Sequence, residues 1–243
     1  MKKIWIITLF PEYFIPFIKC GIAGSALRGE RNHHLELKTV SLREFTLDSY
    51  KGVDDSPYGG GAGMVMKPDV LLNAVKKGIV IPGGYSDNFK EELHFVYTGP
   101  RGVVFNSSQA KILSNKLEST FKKDLVFICG RYEGIDERFL ENYIDETISV
   151  GDFILTGGEI PVMLIIDAAL RFIDGVLGNK SSSESESFEE NLLEHPQYTR
   201  PFEFENLKVP DILLSGDHKK IAAYRKSESL RITKQFRPDL LKK

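Results

Sequence analysis

The run Leu125-Val-Phe-Ile-Cys129 limits the fold more than any other stretch of this 243-residue chain. It is apolar, β-rich and uninterrupted, the pattern of a strand covered on both faces, and such strands belong to parallel sheets flanked by helices. The chain then changes character, and Gly130-Arg-Tyr-Glu-Gly-Ile-Asp-Glu-Arg138 crowds charge and flexible backbone into a few positions. A second strand-like run, Glu146 to Leu155, leads into Thr156-Gly-Gly-Glu159. Loops after parallel strands are where α/β folds place their ligands. Two readings of the first loop stay open: a ligand loop, or a plain βα turn whose acids Asp136 and Glu137 begin the next helix.

The remaining pattern agrees with an α/β sheet. Strands are expected at Ile4 to Leu9, Leu35 to Val40 and His94 to Thr98, and helices at Glu12 to Cys20, Pro68 to Lys77 and Ser107 to Phe121. Strands alternating with helices predict parallel pairing. Gly78 to Asp87 reads as a surface excursion. A further helix is expected over Val162 to Phe172 with Pro161 at its first position, and it is apolar nearly all round, which predicts burial. Its Asp167 and Arg171 are spaced for a simple intrahelical pair. Alternatively, Arg171 ends a buried helix and delivers a positive charge into a pocket.

Composition excludes several classes. No apolar run reaches the roughly 18 residues of a membrane span, and the N-terminal apolar stretch is too short for a signal peptide and reads as the first strand. Cys20 and Cys129 are the only cysteines, and the histidines show no ligand spacing, so neither a disulfide framework nor a metal centre is indicated. A cytoplasmic protein is expected.

Two further segments carry information. Asp54-Asp-Ser-Pro-Tyr-Gly-Gly-Gly-Ala-Gly-Met64 is glycine-rich but lacks the Gly-Lys-Ser/Thr ending of a phosphate loop. It is either a hairpin tip or a loop whose bare backbone lies against a planar ligand. Asn179 to Phe188 is rich in serine and glutamate, as a linker is. The domains are thus expected at 1–178 and 189–243, joined by a linker at 179–188. From Asp217 onward nine Lys or Arg face three Asp or Glu, an excess of six positive charges in a chain of net charge −2. A helix through Lys219 to Lys226, capped by Asp217, would carry much of that charge, either as a solvated basic face or as a surface for RNA or DNA.

The segments at 54–64, 129–138 and 150–159, together with Arg171-Phe-Ile and His195-Pro-Gln-Tyr-Thr-Arg-Pro201, resemble the bacterial tRNA (guanine-N1)-methyltransferases, in order over almost the whole chain. The resemblance implies a SPOUT α/β fold with a deep trefoil knot and a parallel sheet flanked by helices, plus a small, mostly helical C-terminal domain that grips tRNA. It implies a homodimer, S-adenosylmethionine as methyl donor, and methylation of guanosine 37 beside the anticodon, in support of reading-frame maintenance. By similarity, Tyr97, Thr98, Pro100, Gly130, Val150, Gly151, Asp152, Phe153, Ile154, Leu155 and Gly157 hold the cofactor, and Asp54, Arg131 and Glu133 face the substrate. Glu133 is also where the resemblance would put a magnesium ion.

Guanine N1 carries a proton at neutral pH, so its methylation demands a general base. Negative charge then spreads onto O6, where a fixed cation lowers the barrier. Arg171 is the first candidate for that cation and Arg131 the second. Members of the family carry an acid just before the Ser-Phe pair of the linker, contributed by the partner subunit. It is usually aspartate, whereas here it is Glu186, with Glu184 as a rival. The linker would then serve as a lid that orders when tRNA binds. Two other readings stay open: a SPOUT enzyme acting at another RNA position, and a nucleic-acid-binding module without catalysis.

Overall fold

The structure is a computed structural model that describes residues 1–30, 34–46, 52–118, 120–177 and 186–242. It divides into two compact units, Met1–Gly178 and Asn179–Lys243. The first is built on β1 (Lys2–Thr8), β2 (Leu35–Ser41), β5 (Leu93–Val104), β6 (Asp124–Ile128) and β7 (Glu146–Ser149), which form one sheet in the order β2-β1-β6-β5-β7. Every pairing in it is parallel. The expected central strand is β6, with β1 on one side and β5 on the other. Its side chains alternate between two cores, as the period of two requires. Leu125 and Phe127 pack with α1 (Phe14–Lys19), α2 (Gly21–Leu27), α5 (Ser107–Leu117) and α7 (Glu159–Leu170). Val126 and Ile128 pack on the opposite face with α3 (Pro68–Asn73) and α6 (Glu137–Tyr143).

β5 is longer than its apolar signal and runs on to Val104. Thr98 and Val103 both pair with Ile148, so Gly99 to Gly102 leave the ladder as a four-residue excursion between them. Gly102 is what lets the chain return: a Cβ there would stand 2.5 Å from the backbone of Ile148.

Other elements depart from their sequence patterns. The expected strand through Leu155 ends at Ser149, because Gly151 at φ +145° turns the chain out of the ladder. The Glu12 helix is a 3-10 turn over Pro11–Tyr13 followed by α1, and α2, which has no clear amphipathic signal, follows it directly. α5 stops at Leu117, short of Phe121. α7 starts at Glu159, with Pro161 third instead of first. It is also not buried all round: Ile160 and Leu164 are 51% and 47% exposed, and Asp167 and Arg171 continue the same open stripe. Composition reports how apolar a helix is, not how many neighbours reach it.

Gly78 to Asp87 is a surface excursion only in part: its first residues are buried in a helix, and Ile81, Pro82, Gly84, Ser86 and Asp87 are exposed. After α3 the chain widens into a π-helix over Ala74–Val80 and closes with α4 (Ile81–Gly83), with Ile79 and Val80 buried. A Cβ at Gly78 would meet Val40 at 2.6 Å, so the glycine admits close packing of helix on sheet. Tyr85 then anchors the segment, accepting from Trp5 Nε1 at 3.0 Å and donating to Asp124.

β3 (Asp54–Asp55) and β4 (Val65–Met66) pair antiparallel, so the glycine-rich stretch is a hairpin tip, with Tyr58 fully exposed. In the second unit, α8 spans His218–Phe236, longer than expected, and Asp217 caps it by accepting from the amides of Lys219 and Lys220. β8 (Glu203–Phe204) and β9 (Leu207–Lys208) form a short hairpin before it. Among the described residues no helix is long and apolar enough to cross a membrane.

At the amino-terminal ends of β5 and β7, His94 Nε2 lies 3.2 Å from Glu146 Oε2, and Lys116 Nζ donates to the same oxygen. The His94 hydrogen bond and the Lys116 charge hold the Glu146 carboxyl at about 2, below the ordinary 4.5. The folded state therefore favours the ionised form, whose contribution is complete above pH 4.5 and disappears as the pH falls toward 2. Glu146→Gln should flatten the pH dependence of unfolding free energy across that window, and a slope equal to wild type would disprove the linkage. Gly102→Ala should destabilise the fold by about 1–3 kcal/mol, the usual cost of overpacking. An unchanged midpoint in urea would mean that the crossing has room to relax.

Candidate functional site

Three segments reach the same level at the carboxyl end of the sheet. They are Tyr97 to Pro100 from β5, Gly130 to Gly134 after β6, and Ile148 to Gly158 after β7, and they line one cleft of about 320 Å³. Of the residues expected to hold a cofactor, Tyr97, Thr98, Pro100, Gly130, Val150, Gly151, Phe153, Ile154, Leu155 and Gly157 all lie on its wall. Asp152 does not line it and is exposed. Arg131 and Glu133 line it as well.

Backbone makes most of the wall. The Gly158 amide donates to the Gly130 carbonyl at 2.9 Å, joining the loops after β6 and β7. A Cβ on Gly158 would meet Cys129 Cα at 2.7 Å and Thr98 Oγ1 at 2.8 Å, so all three strands converge where only glycine fits. Thr98 is 8% exposed, and its Oγ1 has no hydrogen-bond partner among the described residues. A buried hydroxyl without a partner is costly and marks a place for a ligand group or water. Burial raises the Tyr97 phenol above its ordinary range and drives the Cys129 thiol well up, so both are neutral groups at pH 7.

Charge gathers beside the cleft. The β3–β4 hairpin is stitched to the Gly130 loop: Glu133 N donates to Met64 O and Met66 N to Gly134 O, each at 2.9 Å. This brings Asp54 next to Tyr132, whose phenol is raised by burial and then by the Asp54 charge. Asp54 itself does not line the cleft. Arg131 lies across the loop after β7, donating to Thr156 O at 2.9 Å, with Nη2 2.8 Å from Glu159 Oε2. The expected acids Asp136 and Glu137 do begin a helix, with Asp136 capping α6 through the Arg138 amide. The βα-turn reading thus holds at the end of this segment, while its first residues, Gly130 to Gly134, line the cleft.

Arg171 lies away from this cleft, in a groove with Asp167, Leu170, Pro16 and Phe17. Glu186 belongs to the second unit, and Glu184 falls outside the described residues. In that unit His195, Tyr198, Arg200, Phe202 and Arg225 line a separate cleft of about 410 Å³. Among the described residues no group of three or more His, Cys, Asp or Glu side chains gathers for a metal ion. Sequence reasoning passed over Gly158 and Glu159. The Gly-Gly pair before an apolar helix carried the signal for close backbone approach at Gly158, whereas an acid in a helix's first turn is readily solvated, so nothing local marked Glu159 as buried.

Comparison with known proteins supplies the chemistry that this architecture serves. The chain is 46% identical over 241 residues to the tRNA (guanine-N(1)-)-methyltransferase of Clostridium perfringens (strain SM101 / Type A), covering 99% of this chain and 94% of that protein. The Clostridium botulinum (strain Eklund 17B / Type B) protein of the same name is 48% identical over 240 residues, covering 99% of this chain and 92% of that one. The Clostridioides difficile (strain 630) protein is 44% identical over 238 residues, covering 98% and 96%. The model of the family described as tRNA (Guanine-1)-methyltransferase TrmD matches residues 1–243, so the chain belongs to that family.

Proposed function

We propose that this protein transfers a methyl group from S-adenosylmethionine to N1 of guanosine 37 in tRNA. The observation that carries the donor assignment is the cleft at the strand ends, where glycine backbone and the unpartnered Thr98 Oγ1 meet apolar Phe153, Ile154 and Leu155. Such a wall fits a nucleoside: backbone groups and the hydroxyl for its polar edge, apolar side chains for its faces. S-adenosylmethionine supplies an electrophilic sulfonium methyl there. The loops on either side of Gly102 would be those of a trefoil knot, a reading supported by the close crossing of Gly102 over Ile148.

The chain's own residues would supply the rest. Asp54 and Glu133, held beside the cleft by the hairpin, offer carboxylates to the N1 and N2 donors of guanine. Glu186 of the partner subunit takes the N1 proton, with Glu184 as the alternative, and Arg171 offsets the charge that develops on O6. A base and a cation that both act from outside the cleft wall fit an active site completed at a subunit interface. The open stripe of α7, with Ile160 and Leu164, supports a homodimer, since large apolar side chains in a row favour a partner. A magnesium ion, which takes one or two carboxylates and keeps several waters, would find the Glu133 carboxylate here, and none of the residue roles above depends on it. The second unit, with its basic α8 and its cleft of Tyr198, Arg200 and Arg225, would hold the anticodon arm, by stacking on rings and by phosphate contacts. A tRNA substrate makes the cytoplasm the expected compartment.

Methylation of a tRNA transcript with guanosine 37, and none of a transcript with adenosine there, tests the position directly. Methyl transfer to both would reassign the site. In the same assay Glu186→Gln should bind the donor as wild type does while single-turnover transfer falls by the roughly 10²- to 10⁴-fold typical of a lost general base. Full activity would remove Glu186 from the mechanism and direct attention to Glu184. Leu164→Lys, at an exposed position, should fold normally yet shift the protein toward monomer in analytical ultracentrifugation, and an unaltered mass would place the interface elsewhere.

A further inference from the structure

Among the described residues of the first unit Glu159 is the most buried charged side chain, 1% exposed, and it does not line the cleft. It is the first residue of α7, where the helix dipole favours an anion. Its Oε1 accepts from Thr8 Oγ1 at 2.8 Å, from the end of β1, and from Arg131 Nε at 3.3 Å. Its Oε2 lies 2.8 Å from Arg131 Nη2, an electrostatic contact in which Oε2 accepts no well-aligned hydrogen bond.

The arginine is equally committed. Its side chain is 15% exposed, its guanidinium carbon stands 4.6 Å from the centre of the Phe10 ring, and Nη1 donates to the Thr156 carbonyl. It crosses Gly157 so closely that a Cβ there would stand 2.2 Å from Nε. Four segments therefore meet in one ion pair: the end of β1, the Gly130 loop, the loop after β7 and the start of α7.

We propose that Glu159 is a positioning residue. Through Arg131 it clasps Thr156 to Gly158 against the Gly130 loop and so sets the width of the cleft before any ligand arrives. This rests on the reading of that cleft as the methyl-donor site, and it changes the role of Arg131: the guanidinium is spent on the protein and braces the wall. A buried pair of this kind adds little net stability, but losing one partner leaves an uncompensated charge in the interior. The effect should appear where the clasp acts, in the loops.

Two measurements on Glu159→Gln, an isostere that keeps the Thr8 contact, separate the clasp from the donor assignment. In ligand-free protein, hydrogen exchange at the Gly158 amide should accelerate about ten-fold or more, while amides of β6 exchange as in wild type. That result does not depend on any ligand, and unchanged exchange at Gly158 overturns the clasp. In binding and turnover, S-adenosylmethionine affinity should weaken about ten-fold while turnover at saturating donor stays within about three-fold, as expected for lost pre-organisation. An equal loss of kcat and kcat/KM would move the pair into the chemical step and also overturn the proposal. If wild type itself fails to bind S-adenosylmethionine, the donor reading falls and the exchange result still decides the clasp. Should Glu159→Gln not fold, Arg131→Lys keeps the charge but loses the fork. It should show the same exchange signature, and wild-type exchange in it would refute the clasp equally.

Discussion

β5 pairs with β7 on both sides of an excursion, with Thr98 and Val103 sharing Ile148 as neighbour. Because the strand continues past the interruption, Gly99 to Gly102 must stand out at the carboxyl edge of the sheet. The chain after β6 and the chain after β7 emerge at the same edge, since all the pairings are parallel. The cleft is the space these three emergent segments enclose. Remove the excursion and β5 would end as an ordinary strand, with no third wall. The glycines at 102 and 158 follow from this constraint, for each lies where one backbone passes another too closely for a side chain.

The distribution of charge follows the same geometry. The cleft wall is mostly backbone and apolar side chains, with Arg131 and Glu133 as its charged residues, and Arg131 is tied to Glu159 beneath the loops. Glu159 and Arg131 pair with one another below the loops, and Asp54 of the hairpin stands beside Tyr132 of the Gly130 loop. At the opposite end of the strands, Glu146, His94 and Lys116 form a second ionic group that anchors β5 to β7 and α5. The sheet is thus held by charge at its far end and left open at its near end. The proposed methyl donor would meet mostly backbone and apolar groups there.

Local patterns were legible where one stretch of chain holds all the information. Five apolar residues in a row announced β6 as a strand covered on both faces, Asp217 announced the start of α8, and the glycine clusters at 130 and 151 announced loops that line a common cleft. The motifs at 54, 129, 150 and 195 named the family, and with it the chemistry. Residues were misread where distant segments decide. The start of Gly78 to Asp87 looks like surface loop until β2 and the 3-10 turn after it supply Val40 and Phe45 to pack against Gly78, although the residues after Val80 are largely exposed. The apolar helix α7 looks buried until its neighbours are found to cover only one side.

What the sequence determined by itself was therefore the parallel α/β class, the family and the identity of the cleft loops. These depend on residue types and short-range periodicity, which a linear string records completely. The tertiary structure alone decided that Arg131 faces inward to Glu159, that β5 steps out between two contacts with Ile148, and that α7 keeps an open apolar stripe. Each of these depends on which backbone lies within a few ångströms of another across long stretches of chain, and residue type carries no record of that.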